Sequence, residues 1–471
     1  MKAAPWLLLL APLPVAAQPA PLQQQVEAKL AEAGPGIRFG LVVADDRGNT
    51  LVAINPAQRF IPASNTKIFT SAVAFATLPG LDQPDTDGGA RVRLDHGDVI
   101  LEGRGDARLS SAADCASDCL AALADAVAAA TRHVRDVVGD DTRFPDERWS
   151  AGMSWNNIPS DSGTAISALT LDDNELPLTV TPGAPGQPPR VEGLPYYTID
   201  NQVVTGVPGS RAGIDIDRLP FERRIRLTGT IAADAPPRIV RLGIDDPAAY
   251  AAWRLAALLD ARGVKMRGRP VARHRERPGG ASTVPAVSAP PPALAALVPP
   301  PLQDDLVHLM RDSQNLHAEL LLRRLGLVAG SGSVADGLAQ VEALAARAGV
   351  ARSDWDLADG SGMSTYNRVT PRAMVALLRW ISGQPWGAAW RGTLATGGVD
   401  GTIARRFKGS SLEGKVFAKT GTLNATNALA GYLVARSGRT LTFAFLANDI
   451  PSGARATPVM DASLIAIAEA N

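Results

Sequence analysis

Apolar positions first recur at helical spacing over 23–33, then alternate through two short runs, 37–44 and 50–54. Alternation means half-buried strands, and the turn Asp45-Asp46-Arg47-Gly48-Asn49 between the runs makes a hairpin. A helical pattern over 65–78 follows. Short strand patterns at 90–94 and 99–102, a helix at 119–131 and a strand at 134–138 then suggest a small α/β unit. From about 171 to 241 the helical period disappears and turn residues dominate, as in an all-β insert. Helical spacing returns over 247–262, with Pro247 where a first helical turn tolerates it. Eight prolines between Pro278 and Pro301 mark a semi-rigid connector. Beyond it, helices are expected at 302–311, 316–326, 333–348 and 371–381. The end is strongly β, with strands at 415–420, 428–435 and 440–447 before a last helix at 457–470. Both ends of the chain thus offer strands that need partners, while the middle can fold by itself. The simplest arrangement is one domain split by a long insertion.

Composition narrows the function. With 471 residues, 46% of them hydrophobic, the chain can build two or three cores. Lys plus Arg and Asp plus Glu both number 47, so a general electrostatic hold on nucleic acid is not expected. Two cysteines, Cys115 and Cys119, exclude a disulfide scaffold and a Cys-rich metal centre. They are spaced for a local disulfide across one helical turn, or they are two inert buried thiols, and the sequence leaves both open. Five scattered histidines form no metal-binding pattern, so neither a metal nor another cofactor is expected. Residues 1–17 read as a secretory signal peptide: Lys2, an apolar run over 3–15, and Val15-Ala16-Ala17 as a small-residue cleavage site before Gln18. No later run has the length of a membrane span. The expectation is a protein released to the periplasm or medium, without an integral membrane anchor.

Only seven of the 47 basic residues are lysine. Where lysine is kept in so arginine-rich a chain, its ability to lose a proton is a candidate reason. One of the seven lies in Ser64-Asn65-Thr66-Lys67, which opens the first long helix pattern and is the chain's single S-x-x-K. Residues three apart share a helix face, so Lys67 can reach Ser64 and, if desolvated, take its hydroxyl proton. Alone the motif is a weak signal, since a serine at a helix start is most often only a cap. Lys419-Thr420-Gly421-Thr422 ends a strand pattern. Its lysine offers a fixed cation for a carboxylate, and Gly421 removes a side chain so that a ligand backbone can approach. Ser313-Gln314-Asn315 falls between two helix patterns and presents a hydroxyl and a carboxamide together. Ser154-Trp155-Asn156 is a second S-x-N match, but it lies in the middle region rather than in the segment rejoining the ends.

Taken in order, S-x-x-K, S-x-N and K-T-G are the signature of penicillin-recognising serine enzymes. With Gly103-Arg104-Gly105-Asp106, Asp359-Gly360-Ser361-Gly362-Met363-Ser364 and Gly398-Val399-Asp400-Gly401-Thr402, the whole mature chain resembles the class C low-molecular-mass penicillin-binding proteins. These are D-alanyl-D-alanine carboxypeptidase/endopeptidases of the penicillin-binding protein 4 type. The resemblance extends to the long insertion, since Ser313 lies 246 positions after Lys67. It implies an α/β (α+β) multidomain fold: a transpeptidase-like domain, an antiparallel sheet flanked by helices, from 18–70 and 290–471. An inserted α/β domain would take 71–171 and 242–289, and a second, all-β one 172–241. It further implies Ser64 as acylated nucleophile, Lys67 as general base and Ser313 as proton relay. Asn315 would hold the substrate amide, and Lys419, Thr420 and Thr422, with Gly421 between them, its terminal carboxylate. Backbone N–H groups of Ser64 and Thr422 would form the oxyanion hole. The implied partners are peptidoglycan stem peptides, with β-lactam antibiotics as covalent inhibitors. The sequence departs from some relatives after Trp155-Asn156, where Asn157 replaces an acidic residue and Asp161 is shifted along the chain. Rival readings are a secreted β-lactamase, which usually has a much shorter gap between the first two motifs, and a silent peptidoglycan-binding scaffold, which needs no nucleophile–base pair. No G-x-S-x-G elbow supports a Ser-His-Asp esterase.

Overall fold

The computed structural model describes residues 21–219, 222–276 and 291–471. The signal-peptide segment and most of the proline-rich connector fall outside them.

A six-stranded antiparallel sheet joins the two ends of the chain. Its order is Ala395–Thr396, Val416–Leu423, Thr426–Val434, Thr440–Asn448, Arg38–Ala44 and Thr50–Ile54. The N-terminal hairpin docks through Arg38–Ala44 on Thr440–Asn448, with Leu41 opposite Phe445. The central strands are apolar on both faces because both faces are covered. Val42, Ala44, Ala430 and Ala444 point to one core, shared with the helices Lys67–Thr77 and Pro371–Ser382. Leu41, Val43, Leu429 and Phe443 point to the other, beneath Leu22–Ala31 and Thr457–Ala470. The two-residue period of a strand divides the cores.

Between the ends lies a five-stranded sheet in the order Pro270–Arg275, Val137–Pro145, Asp98–Glu102, Arg91–Asp95, Ala295–Ala296. The helices Leu120–Ala130 and Pro247–Ala261 share its core. Pro270–Arg275 carried no strand signal, since its sequence is half basic. It is held by pairing its polar side chains: Arg273 Nη1 lies 3.2 Å from Asp140 Oδ2, and His274 Nδ1 3.0 Å from Asp141. Among its described residues, the stretch 175–243 contains two small sheets and no α-helix, in keeping with its lost helical period. Cys115 and Cys119 are disulfide-bonded, with Cα atoms 5.7 Å apart. The bond closes a loop ahead of the helix Leu120–Ala130 and does not span a helical turn, because Cys119 is still extended as the N-cap. Among the described residues no helix is long and apolar enough to cross a membrane.

Candidate active site

Ser64 sits in a 3-10 turn, Ala63–Thr66, and the α-helix begins only at Lys67. The turn is pinned from three sides. The Asn65 Nδ2 group donates to the Lys419 carbonyl at 2.7 Å, fastening it to the Val416–Leu423 strand. Gly421 lies against it so closely that a Cβ there would stand 2.5 Å from the Pro62 carbonyl oxygen. Gly362, in the left-handed region at φ +92°, presses from the other side, where a Cβ would meet the Ala63 oxygen at 1.9 Å. The missing side chain of Gly421 thus has a structural use as well, since it admits the Pro62 carbonyl, while Gly421 itself still lines the cavity described below.

Lys67 is fully buried. Its Nζ donates to Ser64 Oγ at 3.0 Å, to Asn315 Oδ1 at 2.7 Å and to the Ser361 carbonyl at 2.7 Å. Burial pushes the ammonium down from its ordinary value to about 7, with Asp359 and Glu319 pulling the other way. Lys419 is equally buried. Its Nζ donates to Ser313 Oγ at 2.8 Å and to the Thr420 carbonyl at 3.0 Å. Burial, then repulsion from Lys67, lowers its proton affinity well below that of a free lysine, against the pull of Asp312. Ser313, a non-glycine residue at φ +69°, occupies the connection between the helices Leu302–Arg311 and Asn315–Gly326. The hydrogen bond to its hydroxyl comes from Lys419, so in the free protein it completes the pair with the strand lysine.

These residues surround one cavity of about 790 Å³, whose walls include Ser64, Ser313, Asn315, Thr420, Gly421 and Thr422. Thr402 joins them, its Oγ1 2.8 Å from Thr420 Oγ1. Next to Lys419 the strand has an open edge, since the neighbouring Ala395–Thr396 pairs only with Ala418 and Phe417. All eight motif residues therefore meet at one place. Ser154 reaches the same cavity from the insertion, with Asn156, Asn157 and Ser162. The Asn315 Nδ2 group donates to the Ser162 carbonyl at 3.2 Å, so the insertion braces a motif residue directly.

Sequence reasoning missed the support beneath Lys67. Glu319, almost completely buried, accepts from the backbone N–H groups of Gly360 and Ser361 at 2.9 and 2.8 Å and from Arg323 at 3.0 Å. It thereby aims the Ser361 carbonyl that Lys67 uses. Asp359 accepts from Gly362 N–H at 3.0 Å, Ser364 N–H at 2.6 Å and Asn367 Nδ2 at 2.6 Å, bracing the same loop. The available signal was a Glu319/Arg323 pair, four apart, set into a leucine-rich helix.

A helix-flanked antiparallel sheet with a half-buried serine on a buried lysine, facing a Lys-Thr-Gly strand, is the arrangement of the penicillin-recognising serine enzymes. The chain belongs to the D-Ala-D-Ala carboxypeptidase 3 (S13) family, whose model matches residues 22–470, and is a serine D,D-peptidase of peptidoglycan. It is 34% identical over 470 residues to the D-alanyl-D-alanine carboxypeptidase of Actinomadura sp. strain R39, covering 95% of this chain and 84% of that one. The D-alanyl-D-alanine carboxypeptidase DacB of Haemophilus influenzae is 24% identical, over 89% of this chain and 87% of its own. In structure the chain resembles penicillin binding protein 4 of Haemophilus influenzae, with a TM-score of 0.77 at 21% identity, over 93% of this chain and 97% of the other.

Proposed function

We propose that Ser64 is the residue acylated by D-Ala-D-Ala stem peptides, with Lys67 as its base. The observation that carries this is the 3.0 Å contact between Ser64 Oγ and a fully buried lysine whose proton affinity has fallen to about 7. Neutral Lys67 takes the hydroxyl proton as Ser64 Oγ bonds to the carbonyl carbon of the penultimate D-Ala. The oxyanion forms against the backbone N–H groups of Ser64 and Thr422. The peptide C–N bond then breaks, and the departing amine receives a proton through Ser313. Water hydrolyses the ester and restores Ser64. Asn315 holds the substrate amide, while Lys419, Thr420 and Thr422 hold the terminal carboxylate. Cleaving a free D-Ala-D-Ala tail is carboxypeptidase action, and cleaving a cross-link is endopeptidase action through the same steps. Penicillins acylate the same serine.

The proposed division is 18–70 and 290–471 as the catalytic domain, 71–171 with 242–289 as one insertion and 172–241 as the other, with two edges that the elements move: the helix Lys67–Thr77 carries the catalytic domain past 70, and Ala295–Ala296 pairs with Arg91–Asp95 of the inserted sheet. Activity on the wall fits a mature protein in the periplasm or outside the cell after loss of residues 1–17. Intact-mass spectrometry after mixing with benzylpenicillin tests the assignment. One adduct mapped to Ser64 is expected, and none on Ser64→Ala, whose fold should survive a change at a turn without a side-chain cap bond. An adduct of undiminished amount on Ser64→Ala removes Ser64 from the mechanism.

A further inference from the structure

Of the residues lining the 790 Å³ cavity, none is aspartate or glutamate. The wall that the strand lysine and the Ser64 turn leave free is built by the insertion residues Asn156, Asn157 and Ser162 and by Asn424 and Asn427 of the hairpin after the Lys-Thr-Gly strand. Met363 and Leu423 add apolar surface beside them. The carboxylates nearby are engaged elsewhere. Asp461 is held by Arg406, whose Nε and Nη2 lie 3.1 and 2.5 Å from its Oδ1. Asp161 Oδ1 accepts the backbone N–H of Ser162 at 2.7 Å, and Asp161 does not line the cavity. Asp400 Oδ1 accepts the Thr396 N–H at 2.7 Å. By contrast, the side-chain amides of Asn157, Asn424 and Asn427 make no hydrogen bond to any described residue and remain available to a ligand.

An ammonium group brought against this wall would lose water and find no carboxylate lining it, and the one cation among the described lining residues, Arg406, is already paired with Asp461. An amide in the same place would meet unpaired carboxamides that both donate and accept. Resting on the Ser64 reading, we propose that this wall selects stem peptides whose side-chain amine, on the residue before D-Ala-D-Ala, is already N-acylated. The methylenes of that side chain lie against Met363 and Leu423, and its amide pairs with the asparagines. The substrate class is thus the bridged or cross-linked stem, in preference to one with a free ammonium.

The test compares kcat/KM for Nα,Nε-diacetyl-L-Lys-D-Ala-D-Ala with that for Nα-acetyl-L-Lys-D-Ala-D-Ala, using the full mature enzyme. The diacetyl peptide should be favoured by at least about fivefold, and any smaller ratio overturns the inference. Asn157→Asp supplies the missing carboxylate and should lower the ratio by raising turnover of the free-amine peptide. An unchanged ratio in this variant overturns the assignment of the wall. If neither peptide is turned over while penicillin still labels Ser64, the selectivity is refuted and the nucleophile stands. If labelling of Ser64 is absent as well, the Ser64 reading falls and takes the inference with it.

Discussion

Lys67 keeps its amine where water does not reach, and that decides which form predominates near neutrality. Arginine would supply a cation of similar length but no proton-accepting form, since its pKa stays above about 12. The group works as a base only when neutral, and its ammonium is held at about 7. The penicillin acylation rate should therefore climb about tenfold per pH unit below 7 and level off above it, because the neutral fraction does. Lys67→Arg should lose this limb together with almost all of the rate. Stopped-flow acylation from pH 5 to 9 checks both, and a rate flat across that range would remove Lys67 as the base. Glu319 and Asp359 keep Lys67 from falling further. Removing either carboxylate is thus a way to shift the same curve towards lower pH.

At the scale of elements, the serine turn is positioned on two of its three sides by approaches too close for a side chain. Gly421→Ala would put a methyl group 2.5 Å from the Pro62 oxygen and 3.1 Å from the Ala428 Cβ. The turn or the strand must move, at a cost of about 1–3 kcal/mol for overpacking. The expected outcome is a lower melting temperature together with at least about a tenfold slower acylation, because Ser64 shifts relative to Lys67. Acylation at the wild-type rate would show that the close approach does not position the nucleophile. The elements themselves were readable where burial writes a period. The strands Thr426–Val434 and Thr440–Asn448 stand out because both faces are covered, and the sequence placed the helices Leu302–Arg311 and Thr457–Ala470 at the observed ends. Motif residues were readable because their chemistry is rare in this chain, as with lysine among arginines. Pro270–Arg275 was not readable, since its strand is held by pairing Arg273 and His274 with aspartates far away in sequence. Ser162 was equally silent, and Asn156 and Asn157 drew notice only through an S-x-N match and the departure from some relatives: neutral polar loop residues look alike until the fold gathers them at one cavity, with Ser162 beside Asn315.

On the scale of the whole molecule, the middle region meets the ends across a charged seam. Asp85 Oδ2 lies 2.5 Å from Arg324 Nη1, and Arg108 pairs with Asp305. Inside the seam, Asp106 of the Gly103-Arg104-Gly105-Asp106 segment is buried, with one carboxylate oxygen accepting the Arg108 N–H at 2.8 Å and the other without a partner. Burial, reinforced by the Asp118 charge, pushes the Asp106 carboxyl up to about 8, far above its ordinary 3.8. Between these two values the folded chain keeps a proton that the unfolded chain has released. By linkage this group makes stability fall as pH rises from about 4 to about 8, and below that window it contributes no slope. Asp106→Asn keeps an oxygen for the Arg108 N–H and has no proton to lose. Denaturant melts at pH 5 and pH 8 should therefore show a smaller loss between the two values in the variant than in the wild type, with the variant's gain concentrated at pH 8. Parallel losses in the two proteins would mean that Asp106 is ionised within the folded seam, and that Arg324, not a retained proton, balances it.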